Sequence, residues 1–291
     1  MREFESAPAN TRLLIIHADD LGLSHSVNRA SFAALDEGIM TSASVMVTCP
    51  WFNEVAEFAK ARPNIDLGIH VTMTSEWSPY RWRPILGRRA RSLTDEQGFL
   101  HATVEGFVNS VRLGEMKQEI RAQIETALRA GVQPTHVDSH MHAHGYNSLI
   151  YEAFSEVAAD FSLPHTTATY ERAGRRIVAR RETVLGTRPR ILQAPPGTAL
   201  IDWKVMYSEL LRSVGPGLNQ LTVHVGFDEP ELCAITCERS GWNASWRQHD
   251  LQVISSAHFR DLLTSLQIKL TSWKEFFTTH PSKEKAVNAA Q

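Results

Sequence analysis

Residues 11–22 read TRLLIIHADDLG. An unbroken apolar run ends in two adjacent aspartates and a glycine. Apolar runs of this kind are strands covered on both faces, as in a parallel sheet clothed by helices. Further β-rich runs recur at 42–48, 65–72, 134–139, 164–170, 220–226 and 268–273. Helical spacing separates many of them. Val27, Ala30, Ala34 and Leu35 repeat within 25–37 and are closed by Gly38; Met116, Ile120, Ile124 and Leu128 repeat within 115–130 and are closed by Gly131. A glycine just past the last helical turn is the usual stop signal. Residues 202–213 and 250–265 also read as helices. Strand alternating with helix predicts an α/β fold, and about seven parallel strands suit a distorted, TIM-like (β/α) barrel. A doubly wound open sheet is the alternative, but no Gly-rich phosphate loop supports it.

Without internal repeats or a low-complexity linker, the 291 residues read as a single domain, with 1–10 flexible and 280–291 a tail. Residues 74–102 and 182–200 are long and irregular, as lids and binding loops tend to be. The chain is 43% hydrophobic and 21% charged with a formal net charge of −2, a composition that can bury a core and is not that of a disordered chain. The charge balance offers no footprint for nucleic acid or an anionic membrane. The basic run RWRPILGRRARS at 81–92 reads as a solvated loop. Cys49, Cys233 and Cys237 form no disulfide framework. With a polar N-terminus and no membrane-spanning run, the expected location is the cytoplasm.

On this map the unusual polar residues fall at strand ends. Asp19 and Asp20 close the first strand, His70 ends the third, and His224 lies near the end of QLTVHVG. Residues 136–145, HVDSHMHAHG, hold four of the chain's 13 histidines. In a parallel barrel these ends share one rim, where active sites are built. Each residue alone has an ordinary reading: a turn for the aspartates, a satisfied core group for a lone histidine. In an extended 136–140 segment, His136, Asp138 and His140 share a face. Such a cluster is costly to bury unless paired or liganded. Carboxylate and imidazole together suit Zn, Mn, Fe, Co or Ni, with Mg less at ease beside histidine. Three protein ligands leave positions open for water and substrate. A further carboxylate can take a proton from that water, and Asp138 can accept from a ligand histidine's second nitrogen.

HADDLG followed by a helix, LGIHVTM at 67–73 and PTHVDSHMHAH at 134–144 together resemble the YdjC-like carbohydrate deacetylases, a family that includes chitooligosaccharide deacetylases and a hopanoid-associated deacetylase. The resemblance is strongest over 11–150. It implies a distorted barrel that removes acetyl groups from N-acetylated sugars with one divalent ion, Mg or Zn foremost, with Mn, Co or Ni also fitting. It implies Asp20, His70 and His140 as metal ligands, Asp19 as base and His224 as the acid for the leaving amine. His136, Asp138, His142 and His144 then support the site or touch substrate. Here TSEWSPYRWRPILG at 74–87 is longer and richer in tryptophan than the family's usual segment. Trp77, Tyr80 and Trp82 are expected either to stack on a sugar ring or to pack this segment onto the barrel, and Arg83 either to support the site or to touch substrate. The expected partner is a small acetylated sugar, with a homodimer allowed for. Rival readings are a barrel hydrolase acting on a phosphoester or cyclic amide, a non-haem iron oxygenase, and a catalytically silent sugar-binding homologue.

Overall fold

Strand β1 (Arg12–Leu21) lies inside a nine-stranded sheet and pairs with three other strands. The computed structural model describes residues 11–166, 169–172, 175–178, 186–187, 190–193 and 203–279. The expected flexible start, the tail and most of 182–200 lie outside the described residues. The other strands are β2 (Ser42–Val45), β3 (Leu67–Val71), β4 (Val137–Ser139), β5 (His165–Thr166), β6 (Thr169–Arg172), β7 (Arg175–Val178), β8 (Gly186–Thr187), β9 (Arg190–Gln193), β10 (Gly217–Val223) and β11 (Ile268–Leu270). The sheet runs β8-β5-β4-β3-β2-β1-β10-β9, with β11 beside the start of β1, and every pairing in it is parallel. β6 and β7 form a separate antiparallel pair. The sheet curls but stays open, with helices around it: a distorted TIM-like (β/α) barrel. All seven expected strands are present, and 182–200, read as irregular, contributes β8 and β9 as well.

The helices are α1 (His25–Asp36), α2 (Phe52–Ala61), α3 (Val104–Ser110), α4 (Leu113–Arg129), α5 (Ser148–Asp160), α6 (Trp203–Arg212), α7 (Pro230–Ile235), α8 (Ala244–Ile254), α9 (Ala257–Ser265) and α10 (Trp273–Thr279). Gly38 and Gly131 follow α1 and α4 with φ of 71° and 88°, the left-handed stops their positions imply. The single helix expected at 250–265 is two. Ser256 breaks the run because its side chain accepts from Phe259 N–H and caps α9.

The end of β1 departs from a regular strand. Ala18 pairs with Ala43 and Leu21 with Val45, so β1 spends three residues where β2 spends two. This bulge contains Asp19 and Asp20, and Asp20 has φ 71°. Asp is among the residues that tolerate this region. Bulges re-aim side chains, and here both carboxylates reach the same cleft.

The 74–102 segment is pinned rather than loose. Thr74 bridges His101 and Thr94 bridges Leu100. The buried carboxylate of Glu119 on α4 accepts Ile85 N–H and Leu86 N–H at 2.9 and 3.0 Å. Gln123, one turn on, bonds both the N–H and the C=O of Thr72. Two α4 side chains thereby satisfy backbone that no strand pairs. Among the described residues no helix is long and apolar enough to cross a membrane.

Candidate metal centre

The C-terminal ends of the parallel strands meet around a cleft of about 750 Å³, including its open mouth. Asp19, Asp20, His70, Trp77, His140, His142 and His224 line it, with Glu76, Ser139, Met141, Gln193, Arg239, Trp242 and Arg247. Asp20, His70 and His140 each offer a ligand atom, all within 4.8 Å of one another. Asp20 Oδ1 lies 3.1 Å from His140 Nδ1 and 3.4 Å from His70 Nε2. The remaining nitrogen of each ring meets a buried carboxylate: His70 Nδ1 donates to Asp138 Oδ1 at 2.7 Å, and His140 Nε2 to Glu76 Oε2 at 2.9 Å. One carboxylate, two imidazoles and an outer carboxylate behind each imidazole is the donor set of a divalent-metal site. The residues present fit such an ion.

Two further buried groups, His17–His136–Asp138 and Asp19–His70–Asp138, also satisfy the spacing. They share Asp138 and lead from Asp19 and His70 on the cleft wall down into a polar layer beneath the rim. Asp138 Oδ2 accepts from His17 Nε2 and Ser44 Oγ, both at 2.9 Å. His17 Nδ1 meets Ser42 Oγ at 2.9 Å, and Ser42 donates to Asp66 at 2.8 Å. His17 is fully buried, which opposes charging it, yet Asp138 and Asp19 outweigh burial and raise it to about 9. Asp138 is held well below the usual carboxylate range: burial opposes this, and His70 and His17 overcome it.

Asp19 Oδ2 lies 3.7 Å from His224 Nε2. Burial again opposes ionisation of Asp19, but His70 and the His17 hydrogen bond hold its carboxyl below the ordinary value. His224 is pushed down to about 4, chiefly by burial. Its backbone N–H donates to Asp250 Oδ2 at 2.8 Å.

Other expected residues lie elsewhere. His136 sits one layer down, stacked on Trp273 with ring centroids 5.0 Å apart. Strand β4 is extended only to Ser139, so His136 and Asp138 enter the barrel interior while His140 begins a 3₁₀ turn at the rim. Asp138 braces His70 from behind. His144 packs beside Phe154 and Tyr151. Trp82 is buried, with Nε1 donating to the Thr74 carbonyl, and its ring lies 6.1 Å from His140. Arg83 donates to the Gln97 carbonyl and covers Phe99, and Tyr80 donates to the Leu23 carbonyl. Neither Trp82 nor Arg83 lines the cleft; both hold the 74–102 segment together.

The family model described as YdjC-like protein matches residues 13–265. The chain belongs to the YdjC-like family. Relatives within it are called carbohydrate deacetylases. The one from Thermoanaerobacter pseudethanolicus is 31% identical over 154 residues, 53% of this chain and 59% of its own length. The one from Enterococcus faecalis is 34% identical over 163 residues, 55% of this chain and 60% of its own. The chain thus spans about six-tenths of these two relatives. A third, from Vibrio cholerae, is 27% identical over 270 residues, 89% of this chain and 94% of its own. A crystal structure from Enterococcus faecalis V583, described provisionally as a cellobiose-phosphate cleavage protein, superposes with TM-score 0.77 at 25% identity, covering 91% of this chain and 98% of that one.

Several residues of this YdjC-like site escaped the sequence reading. His17 sits inside the quoted HADD motif, yet a histidine within an apolar run reads as core. Glu76 lies six residues past His70, beside Trp77, in a segment read for its aromatics. Arg247 and Asp250, on α8, carry no motif; Arg247 is 227 residues from its partner Asp20.

Proposed function

We propose that this protein is a metal-dependent hydrolase that removes the acetyl group from an N-acetylated sugar or oligosaccharide. The observation that carries this reading is Asp20 grouped with His70 and His140, each imidazole backed by its own buried carboxylate. Family membership and the relatives called carbohydrate deacetylases support the substrate class. Asp20, His70 and His140 would hold the ion. A divalent ion bound there supplies Lewis acidity toward an acyl oxygen and makes a water more acidic.

The chain's own groups do the rest. Asp19, ionised and on the cleft wall, takes the proton of the attacking water as the new C–O bond forms. His224, neutral in its buried setting, is 3.7 Å from Asp19 and receives that proton. It then gives the proton to the nitrogen as the C–N bond breaks, so the amine leaves neutral; the water's second proton stays on the new carboxyl group, and acetic acid releases it to solvent as acetate departs. Trp77, on the same wall, is 2% exposed with the Arg239 guanidinium over its ring at 5.2 Å, so it shapes the cleft rather than presenting a free face to a sugar ring.

The test is to titrate stripped protein with divalent ions, then assay acetate release from a panel of N-acetylated mono- and oligosaccharides. One ion per chain and ion-dependent acetate release are expected. Absence of ion binding, or an ion-loaded protein that cleaves phosphoesters or cyclic amides instead, overturns the proposal. His224→Ala should retain the ion and lose roughly 10²–10⁴-fold in rate, the size of a general-acid contribution; an unimpaired rate removes His224 from the mechanism.

A further inference from the structure

Arg247 is a buried cation on the cleft wall that the proposed reaction leaves unused. It stands on α8, 1% exposed, and its side chain crosses to the end of β1. Nη2 donates to Asp20 Oδ2 at 2.6 Å, and Nε donates to the Trp242 carbonyl at 2.8 Å. Nη1 is buried with no hydrogen-bond partner among the described residues. Asp20 Oδ1, in contrast, faces His140 and His70. The two oxygens of one carboxylate are therefore divided, one to a guanidinium and one to the metal centre.

We infer that Arg247 is a positioning residue that restricts Asp20 to donating a single oxygen to the ion. This rests on the metal-site reading above. A carboxylate free on both oxygens can chelate an ion and fill one more coordination position. A charge-assisted hydrogen bond to Oδ2 withholds that second oxygen. The position kept free is one that water or substrate needs in a catalytic site. The guanidinium also offsets the charge of Asp20 and repels a nearby cation. Arg247 is thus arranged to keep the ion's shell open rather than to tighten the grip on it. Through Nε the same side chain holds the backbone of Trp242, whose ring stands 6.1 Å from His224, so the shape of the cleft wall depends on it too.

Cobalt(II) reports the difference, because its visible absorption weakens as ligands are added. The full chain, stripped of metal, is titrated with Co²⁺ as wild type, Arg247→Met and Arg247→Lys, and affinity, absorption and acetate release are read for each. Arg247→Met should bind Co²⁺ no more weakly than wild type, absorb more weakly, and lose ~10–100-fold in kcat, the usual cost of removing an outer partner. Arg247→Lys, which keeps a cationic N–H near Oδ2, should restore the wild-type spectrum and part of the rate. Should Arg247→Met fail to fold, Arg247→Leu, neutral and without an N–H to offer Oδ2, carries the same expectation. Unchanged spectrum and rate in the neutral variant overturn the inference. So does a parallel loss of Co²⁺ affinity and rate in the neutral and Lys variants alike, which is what a merely structural arginine would give. A wild type that takes up no Co²⁺ overturns the metal-site reading itself, and this inference with it.

Discussion

At the scale of single residues, the adjacent aspartates carry the sharpest distinction. Asp20 Oδ1 lies 3.1 Å from His140 Nδ1 and 3.4 Å from His70 Nε2, whereas Asp19 faces His17 and His224 and is farther from His70, at 3.9 Å. Asparagine keeps the shape of either side chain and also tolerates the left-handed backbone at position 20, so charge alone is tested. Asp19→Asn should still take up one ion, while acetate release falls severely because no group accepts the water's proton. Asp20→Asn should weaken ion affinity, with activity partly recovered at high ion concentration. Equilibrium dialysis and an acetate assay read both variants; loss of the ion in Asp19→Asn and its retention in Asp20→Asn would exchange the two roles. That Asp20, His70 and His140 share one rim was legible in the sequence because each ends a β-rich run and parallel strands bring their ends together; singling these three out from Asp19, His136, Asp138 and His224 as ligands rested on the family resemblance. The outer partners were not. Glu76 and Arg247 act through side-chain reach from a loop and a helix, and neither carries a periodic signal that says where its charged end points.

At the scale of elements, three local devices build the rim. The bulge at Asp19–Asp20 defeats strict alternation, so neighbouring carboxylates serve one cleft; a sequence pattern with period two cannot foresee it. Helix α8 supplies Arg247 to Asp20 and, three residues later, Asp250 to the His224 backbone, which braces the ends of β1 and β10 together. Strand β3 makes room for the polar layer with Gly68: a methyl placed there would lie 2.4 Å from the His136 ring. Gly68→Ala therefore forces the ring or the strand to move, at a cost of about 1–3 kcal/mol for overpacking. The urea midpoint should fall accordingly. His70 lies two residues along the same strand, so ion affinity should fall as well. An unchanged midpoint would mean that the His136 ring shifts freely, and that the layer beneath the rim is looser than its hydrogen bonds indicate.

At the scale of the whole molecule, the barrel is unusual in what fills its upper interior. Such interiors are commonly packed with branched apolar side chains. Here His17, Ser42, Ser44, His136 and Asp138 interlock instead, beneath a site that needs oriented imidazoles. This arrangement couples global stability to acid. His136 is fully buried, and its Nε2 has no hydrogen-bond partner among the described residues. Burial is the largest influence on it and, with the neighbouring His17, outweighs Asp66 and Asp138, lowering its pKa from 6.5 to about 4. Between those two values the unfolded chain binds a proton that the folded chain refuses. The stability due to neutral His136 is therefore fully present above pH 6.5 and is lost as pH falls through 6.5 toward 4. At about pH 5 the loss is on the order of 2 kcal/mol for this one group. Urea unfolding of wild type and His136→Gln at neutral pH and near pH 5 isolates it, because only the difference between the two pH dependences is read. The glutamine variant should lose less stability on acidification than wild type. Equal losses would show that His136 takes up its proton without cost in the fold, and that the barrel's acid sensitivity arises in other groups.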